Sequence, residues 1–374
     1  MLTVLYISTD AMFSGSSASL LNLIRAVGQK VNPIVLVQED GAVSQELSRL
    51  GVQTIVHPFY CFGGEKKRLK TALHHPTRTQ LYHFLMDDRH CAQYVKKQLG
   101  NTHIDIVHSN TTITTVGVTL ARALKAKHVW HVREYLPAML KDILVGETLL
   151  KRFIRSADAS IFISNELMQK WHLDCKRSYV IMNAVRREQD ISYKTEKQKN
   201  VLFCAAKIYQ LKRPDIAIKA FAESEVWKQG YRLTMLGGIE KEYKQVLLGL
   251  ASSLCCANYI DWVEYTDNTK PYFENASAFL MCSDFEGLGR VTAEAMFYGC
   301  PVIGRNIGGT KDLIQDGYTG YPFDTEHECA QLIKKVIADD NREMIAHAQA
   351  FVRQELTEEV YGSKIMDVYN SICG

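Results

Sequence analysis

Short apolar runs rich in β-branched residues alternate with helical periods along this chain, and that alternation leaves few folds open. "TVLYIS" reads as a buried strand, followed by a small-residue loop, "TDAMFSGSSAS", and an apolar-periodic helix, "LLNLIRAVG". "NPIVLVQ", "VQTIVH", "IDIVHSN", "AKHVWHVRE", "ASIFISN" and "YVIMN" extend the series of strands, with "SQELSRLG" as a helix closed by glycine. Such a series argues a parallel sheet covered by helices, an α/β architecture. Periodicity lapses over the polar segment "VRREQDISYKTEKQKN", which reads as an interdomain linker, and then restarts with "VLFCAAK", "RLTMLGG", "YIDWVEY", "ASAFLMCS" and "PVIGRN". A length of 374 residues suits two domains. Two Rossmann-like, doubly wound domains are therefore expected, residues 1–185 and 186–355. They would face a deep interdomain cleft, with ligands at the carboxyl ends of the strands.

Composition narrows the class. The N-terminus "MLTVLYISTD" lacks a basic region and reads as a first strand rather than a signal peptide. No run approaches the ~18 apolar residues of a membrane-spanning helix. Ten cysteines without metal-ligand spacing read as reduced, buried thiols, so a cytoplasmic protein is expected. The net charge of +3 is split unevenly: residues 1–185 hold 22 Lys and Arg against 14 Asp and Glu, and the remainder 22 against 27. Halves so charged suggest different partners. No nucleic-acid partner is expected.

The segment "SDFEGLGRVTAEAMFYGCPVIGRNIGG" carries the clearest chemistry, placing Glu286 and Glu294 with seven residues between them in a small, apolar stretch. "FLMCS" reads as a strand, "DFEGLG" as the loop at its carboxyl end, and "RVTAEAMFYG" as a helix. A Gly-x-Gly loop leading into a helix N-terminus is an anion site, because backbone N–H groups converge there and glycine permits close approach. Glu286 in the loop and Glu294 one turn into the helix would each accept hydrogen bonds from a separate set of hydroxyls. Phosphate in the middle and hydroxyls at both ends describe a nucleotide-sugar.

This span resembles the E-x7-E region of retaining GT-B glycosyltransferases of the family 4 type (glycosyl transferases group 1). The similarity continues through "EAMFYGCPVIGRNIGGTKDLIQDGYTGYPFD". "VLFCAAKIYQLKRPDIAIKAF" is similar to the strand, loop and helix in which the family keeps an Arg and, five residues on, a Lys that grip the donor pyrophosphate. Lys207 and Lys212 stand there, and Arg213 is a further cation beside them. "DAMFSGSSASLLNLI" resembles the glycine loop after the first strand, with Gly15 in place of the paired glycines. His131, in "VWHVREY", occupies the place of a histidine near the reactive carbon of the sugar. "YVIMNAVRRE" is similar to the family's Asn-Gly-Val-Asp hinge: Asn183 is kept, while Ala184 and Arg186 replace Gly and Asp.

The resemblance implies a GT-B fold, with residues 1–185 on the acceptor side, 186–355 binding the donor, and a last helix in 356–374 crossing back to the first domain. It implies transfer of a hexose-type sugar with retention, without metal, from a UDP-, GDP- or dTDP-sugar to a saccharide or lipid-linked saccharide, in bacterial surface polysaccharide or glycoconjugate synthesis. Lys207, Lys212 and the helix terminus at Gly287–Arg290 would neutralise the leaving pyrophosphate. Glu286 would hold sugar hydroxyls, with backbone at Leu288 and Gly289 completing the pocket, and Glu294 would hold the ribose. Trp262 and Val263, at the end of "YIDWVEY", are candidates to line the base pocket. No cofactor is implied. A nucleotide-sugar epimerase of the same fold and an inactive binding subunit are the other readings.

The basic excess is concentrated in "EKKRLKTALHHPTRTQLYHFL", residues 65–85, where Lys66, Lys67, Arg68, Lys70 and Arg78 mix with leucines and aromatics. It reads either as a solvated helix face or as a basic-aromatic edge that meets an anionic membrane at its inner face.

Overall fold

The computed structural model describes residues 1–59, 61, 78–134, 146–173 and 177–374. Its contacts divide the chain into two compact units, Met1–Asn183 with Tyr361–Gly374, and Ala184–Val360. Most of the basic stretch 65–85 lies outside the described residues; from Arg78 onward its backbone is helical, within Arg78–Leu99.

The first unit is built on a seven-stranded parallel sheet with order β3-β2-β1-β4-β5-β6-β7. These strands are β1 Leu2–Ser8, β2 Val31–Val37, β3 Gln53–Val56, β4 Ile106–Ser109, β5 Lys127–Val132, β6 Ala159–Phe162 and β7 Ser178–Val180. Val4 to Ile7 of β1 are fully buried, as a central parallel strand covered on both faces requires. The chain winds outward from β1 to β3 and then returns to the other side at β4. The order therefore reverses between β1 and β4, where doubly wound sheets bind ligands. His108 of β4 and His131 of β5 stand near these carboxyl ends.

The second unit holds a six-stranded parallel sheet, order β10-β9-β8-β11-β12-β13. Its strands are β8 Asn200–Ile208, β9 Arg232–Ile239, β10 Ile260–Val263, β11 Ala278–Met281, β12 Val302–Arg305 and β13 Tyr321–Phe323. The helices Pro214–Ser224 and Glu326–Ala338 cover one face, burying Phe221, Ile218, Ile333 and Val336 with Phe203 and Met235.

One sequence expectation changes here. The polar segment after Val185 is not a free linker. Ser192 donates its N–H to the carbonyl of Phe297 at 3.0 Å. Lys197 Nζ donates to the carbonyls of Glu274 and Gly299, at 2.9 and 2.8 Å. These carbonyls close helices, so the ammonium acts as a C-terminal cap that no hydropathy pattern reveals. Cys91, Cys204, Cys256, Cys282, Cys300 and Cys329 are buried free thiols, whereas Cys255 and Cys373 are exposed.

Candidate active site

The second unit assembles its polar centre where β11 gives way to the helix Arg290–Phe297. Gly289 enters that helix with φ +87°, in the left-handed region that favours glycine, and as N-cap it makes no side-chain hydrogen bond to the first turn. The loop before it is packed from below by Gly308 and Gly309. A Cβ at Gly308 would lie 2.6 Å from the carbonyl oxygen of Glu286, and one at Gly309 would lie 2.3 Å from that of Gly287. The "GG" dipeptide therefore serves close backbone approach. Gly309 also donates its N–H to the Glu286 carbonyl at 2.8 Å.

Lys212 and Glu286 meet directly, Nζ to Oε1 at 2.6 Å, with both side chains mostly shielded from solvent. Their loops are joined by the backbone, since Asp284 donates its N–H to the Leu211 carbonyl at 2.9 Å. Glu294 is buried and keeps different company: Arg186 donates to its Oε1 and Thr269 to its Oε2, both at 3.2 Å. The two glutamates thus keep separate hydrogen-bond partners. Arg186 was visible in the sequence only as a departure from the hinge pattern, and Thr269 carried no signal at all.

Other expected residues are placed elsewhere. Lys207 does not bond Lys212's partners; it pairs with Glu240 at 2.7 Å, and both side chains are exposed. The β8–β9 register shifts between Cys204 and Lys207, beyond which Lys207 stands opposite Gly238, two residues before Glu240. Arg213 already has partners: it donates to Asp215 at 2.9 and 3.0 Å and to Asp284 at 3.1 Å, and its hydrogen bonds to Asp215 come first in raising its pKa. Trp262 and Val263 do not line one pocket. Consecutive strand residues face opposite sides of a sheet. Trp262 packs on the hydrophobic core beneath Lys244, 5.4 Å from its ring centroid. Val263 lines a cavity of about 410 Å³ with Asn200, Arg232, Asp261 and Tyr272.

In the first unit, Gly15 begins the helix Gly15–Val27 behind a hydroxyl cap. Ser14 accepts the N–H groups of Ser16 and Ser17, and Asp10 accepts the hydroxyls of Ser14 and Ser16. A Cβ at Gly15 would meet nothing within 4 Å. The N–H groups of Ser16 and Ser17 are therefore satisfied by Ser14, which itself donates to the Asp10 carboxylate. Asn183 ends the first unit, buried, with its Oδ1 accepting from Arg133.

His131 is fully buried at the end of β5. Its Nδ1 stands 3.2 Å from His108 Nε2 and 3.3 Å from Arg133 Nη2. His108 Nδ1 lies 2.7 Å from the Tyr369 hydroxyl, which is 3.2 Å from that of Tyr6. Burial, then the charge of Arg133, then His108 hold the His131 pKa well below the usual histidine value. His131 Nε2 is buried without a partner. Neither Arg133 nor Tyr369 stood out in the sequence. Among the described residues, no group of three His, Cys, Asp or Glu side chains could hold a metal ion.

Residues 185–352 match the family model described as glycosyl transferases group 1. That segment, just under half of the chain, is similar to glycosyl transferases group 1. The relatives include a Campylobacter jejuni enzyme named as an alpha-1,4-N-acetyl-D-galactosaminyltransferase of a diNAcBac-PP-undecaprenol-linked saccharide. That enzyme is 27% identical over 46% of this chain and 49% of its own length. An uncharacterized glycosyltransferase of Methanocaldococcus jannaschii is 25% identical over 66% of this chain and 72% of its own. The chain thus spans about half the length of the first of these relatives and more of the second. Among solved structures, Anabaena HepE in complex with UDP superposes with a TM-score of 0.79 at 17% identity, covering 99% of this chain and 100% of that one. The likeness establishes the GT-B fold, two Rossmann-like parallel-sheet domains.

Proposed function

We propose that the protein is a retaining, metal-independent glycosyltransferase that moves a hexose-type sugar from a nucleoside-diphosphate donor to a saccharide or lipid-linked saccharide. The observation that carries this reading is the joining of Lys212 and Glu286 beside the helix start at Gly289, with the Glu294–Arg186 pair beyond it. A cation beside a helix N-terminus suits a diphosphate, and two separated carboxylates suit hydroxyls on either side of it. The HepE structures, solved with UDP, with UDP and glucose, and with UDP-glucose, support a uridine nucleotide as the first donor to test. The name of the Campylobacter relative supports a lipid-linked acceptor in bacterial glycoconjugate synthesis.

In the reaction, the bond between the anomeric carbon and the β-phosphate oxygen breaks, and the acceptor oxygen bonds to the same carbon on the same face. The acceptor's proton passes to the departing phosphate. Negative charge grows on the diphosphate, and Lys212 with the helix N–H groups stabilises it, which is most effective in the transition state. Glu286 accepts from sugar hydroxyls and Glu294 from the ribose, each exchanging its present cationic partner for a shared one. Lys207, once drawn from the exposed Glu240 pair, adds charge at the phosphates. Asn183 serves as the hinge residue. Cytoplasmic work at the inner face of a membrane fits this chemistry, and no helix among the described residues is long and apolar enough to cross one. A hydrolysis screen of UDP-, GDP- and dTDP-sugars, followed by lipid-linked saccharide acceptors, tests the reading. Failure to bind or turn over any of these donors overturns it.

A further inference from the structure

Three successive residues of one turn reach the loop that carries Glu286, each through a different group. The turn follows β8, and the N–H groups of Lys212 and Arg213 bond back to the carbonyls of Tyr209 and Gln210, at 2.9 and 3.0 Å. Leu211 accepts the N–H of Asp284 on its carbonyl, Lys212 donates its ammonium to Glu286, and Arg213 donates Nη1 to Asp284 Oδ1 at 3.1 Å. The same Oδ1 accepts from Nη1 of Arg305, the last residue of β12. Strands β8, β11 and β12 are neighbours in the sheet. One carboxylate oxygen thus ties the turn after β8 and the loop after β11 to the end of β12.

Arg213 holds a backbone conformation that its side chain disfavours. Its φ and ψ are both +50°, in the left-handed region where glycine is the usual occupant. Such a conformation persists where the surroundings over-determine it. Here Asp215 holds Nε and Nη2 while Asp284 holds Nη1, so all three guanidinium nitrogens are engaged. The side chains of Arg213, Asp284 and Arg305 are 28%, 38% and 24% exposed, and ion pairs open to solvent add little to stability. What such bonds supply at a strained turn is direction.

We propose that Asp284, gripping Arg213 and Arg305 together, aims Lys212 at the donor diphosphate. The inference rests on the glycosyl-transfer reading for its consequence, whereas the clamp itself rests on geometry alone. Asp284 and Arg213 are positioning residues: they touch no substrate and act through Lys212. Misplacing a reacting or stabilising group by about 1 Å costs up to about a hundredfold in rate.

The test uses the full chain and the best donor from the UDP-, GDP- and dTDP-sugar screen. Arg213→Gly relaxes the left-handed turn and leaves no carboxylate alone, because Asp215 keeps Lys219 and Asp284 keeps Arg305. Its unfolding temperature should stay within about 3 °C of wild type. Its kcat should nevertheless drop about tenfold or more, with KM moving less than about threefold. Asp284→Ala should lose kcat to the same degree, and the double variant no further, as residues acting as a unit do. Another arm needs no donor. Unfolding of Lys212→Met, Glu286→Gln and their double variant gives the coupling between those side chains, which should fall by about half or more in an Asp284→Ala background. Wild-type kcat in Arg213→Gly, losses that multiply in the double variant, or an unchanged Lys212–Glu286 coupling overturns the inference. So does a fall in unfolding temperature that parallels the loss of kcat, since the pair would then be merely structural. Absence of turnover of every donor by the wild type instead refutes the glycosyl-transfer reading, and the coupling still decides the clamp.

Discussion

Gly309 gives its backbone N–H to the carbonyl of Glu286, and its Cα hydrogens face the Gly287 carbonyl at a distance no side chain tolerates. The acidic loop is thus held from beneath by a residue more than twenty positions downstream. Gly309→Ala should push the loop outward. Overpacking of this kind typically costs ~1–3 kcal/mol of stability. Donor affinity should fall with it. Calorimetric unfolding together with nucleotide titration checks both; an Ala variant with wild-type values in each would show that the loop does not depend on this contact.

Lys212→Ala should lower kcat more than it weakens donor binding, because leaving-group charge is largest in the transition state. One charge-assisted bond to phosphate is worth about 1.5–3 kcal/mol, so a drop of about 10- to 150-fold is expected. Lys207→Ala should be milder, since that ammonium starts from an exposed pair with Glu240. Steady-state kinetics with a hydrolysable donor separates the two. Equal losses would return Lys207 to full partnership.

Glu294→Gln should weaken nucleotide binding by ~1.5–3 kcal/mol while leaving the fold intact. The amide keeps an acceptor for Arg186 or Thr269 but loses the charge that pairs with a guanidinium. Titration calorimetry with the nucleoside diphosphate reads the effect. Unchanged affinity would remove Glu294 from the ribose site.

Activity should persist after EDTA treatment. The expectation rests on Lys212, which meets Glu286 beside the helix start at Gly289, and on the reading of that terminus as the donor site. Loss of turnover on chelation, restored by Mg²⁺ or Mn²⁺, would contradict it.

Asp88 gives the fold a pH dependence of its own. Burial first, offset in part by the Thr115 hydroxyl, raises its carboxyl from 3.8 to about 7. The folded protein therefore holds a proton that the unfolded chain releases from about pH 4 upward. Stability should fall as pH rises from about 4 to 7, by about 1.4 kcal/mol for each pH unit at most, and then stay level. Asp88→Asn should abolish that slope and be the more stable protein at pH 8. Denaturant melts at several pH values measure it; parallel curves for the two proteins would show that another group sets the slope.

The alternation of strand and helix was legible because parallel strands buried on both faces write themselves as short apolar runs. The Glu286 and Glu294 positions were legible for a related reason: a carboxylate among Gly, Ala and Val has no core role to play. Partners were not legible. Glu240 claims Lys207, three carboxylates surround Arg213, and Arg186 reaches Glu294, all through register and loop closure that leave no local pattern. Trp262 and Val263 show the limit in another form, since adjacency in sequence separates residues in a strand. The His108–Tyr369 contact joins positions 261 residues apart, beyond the reach of any periodicity.

That last contact also orders events during synthesis. The second unit is one continuous stretch, Ala184–Val360, whereas the first needs both Met1–Asn183 and Tyr361–Gly374. On the ribosome, the later-encoded unit has all its residues while the earlier one still lacks the helix that seats Gly362 against the Ala26 carbonyl and Tyr369 against His108. The first unit to begin emerging is thus the last to be completed. Until Tyr369 arrives, the histidine pair beneath it waits in an unfinished shell, open to water.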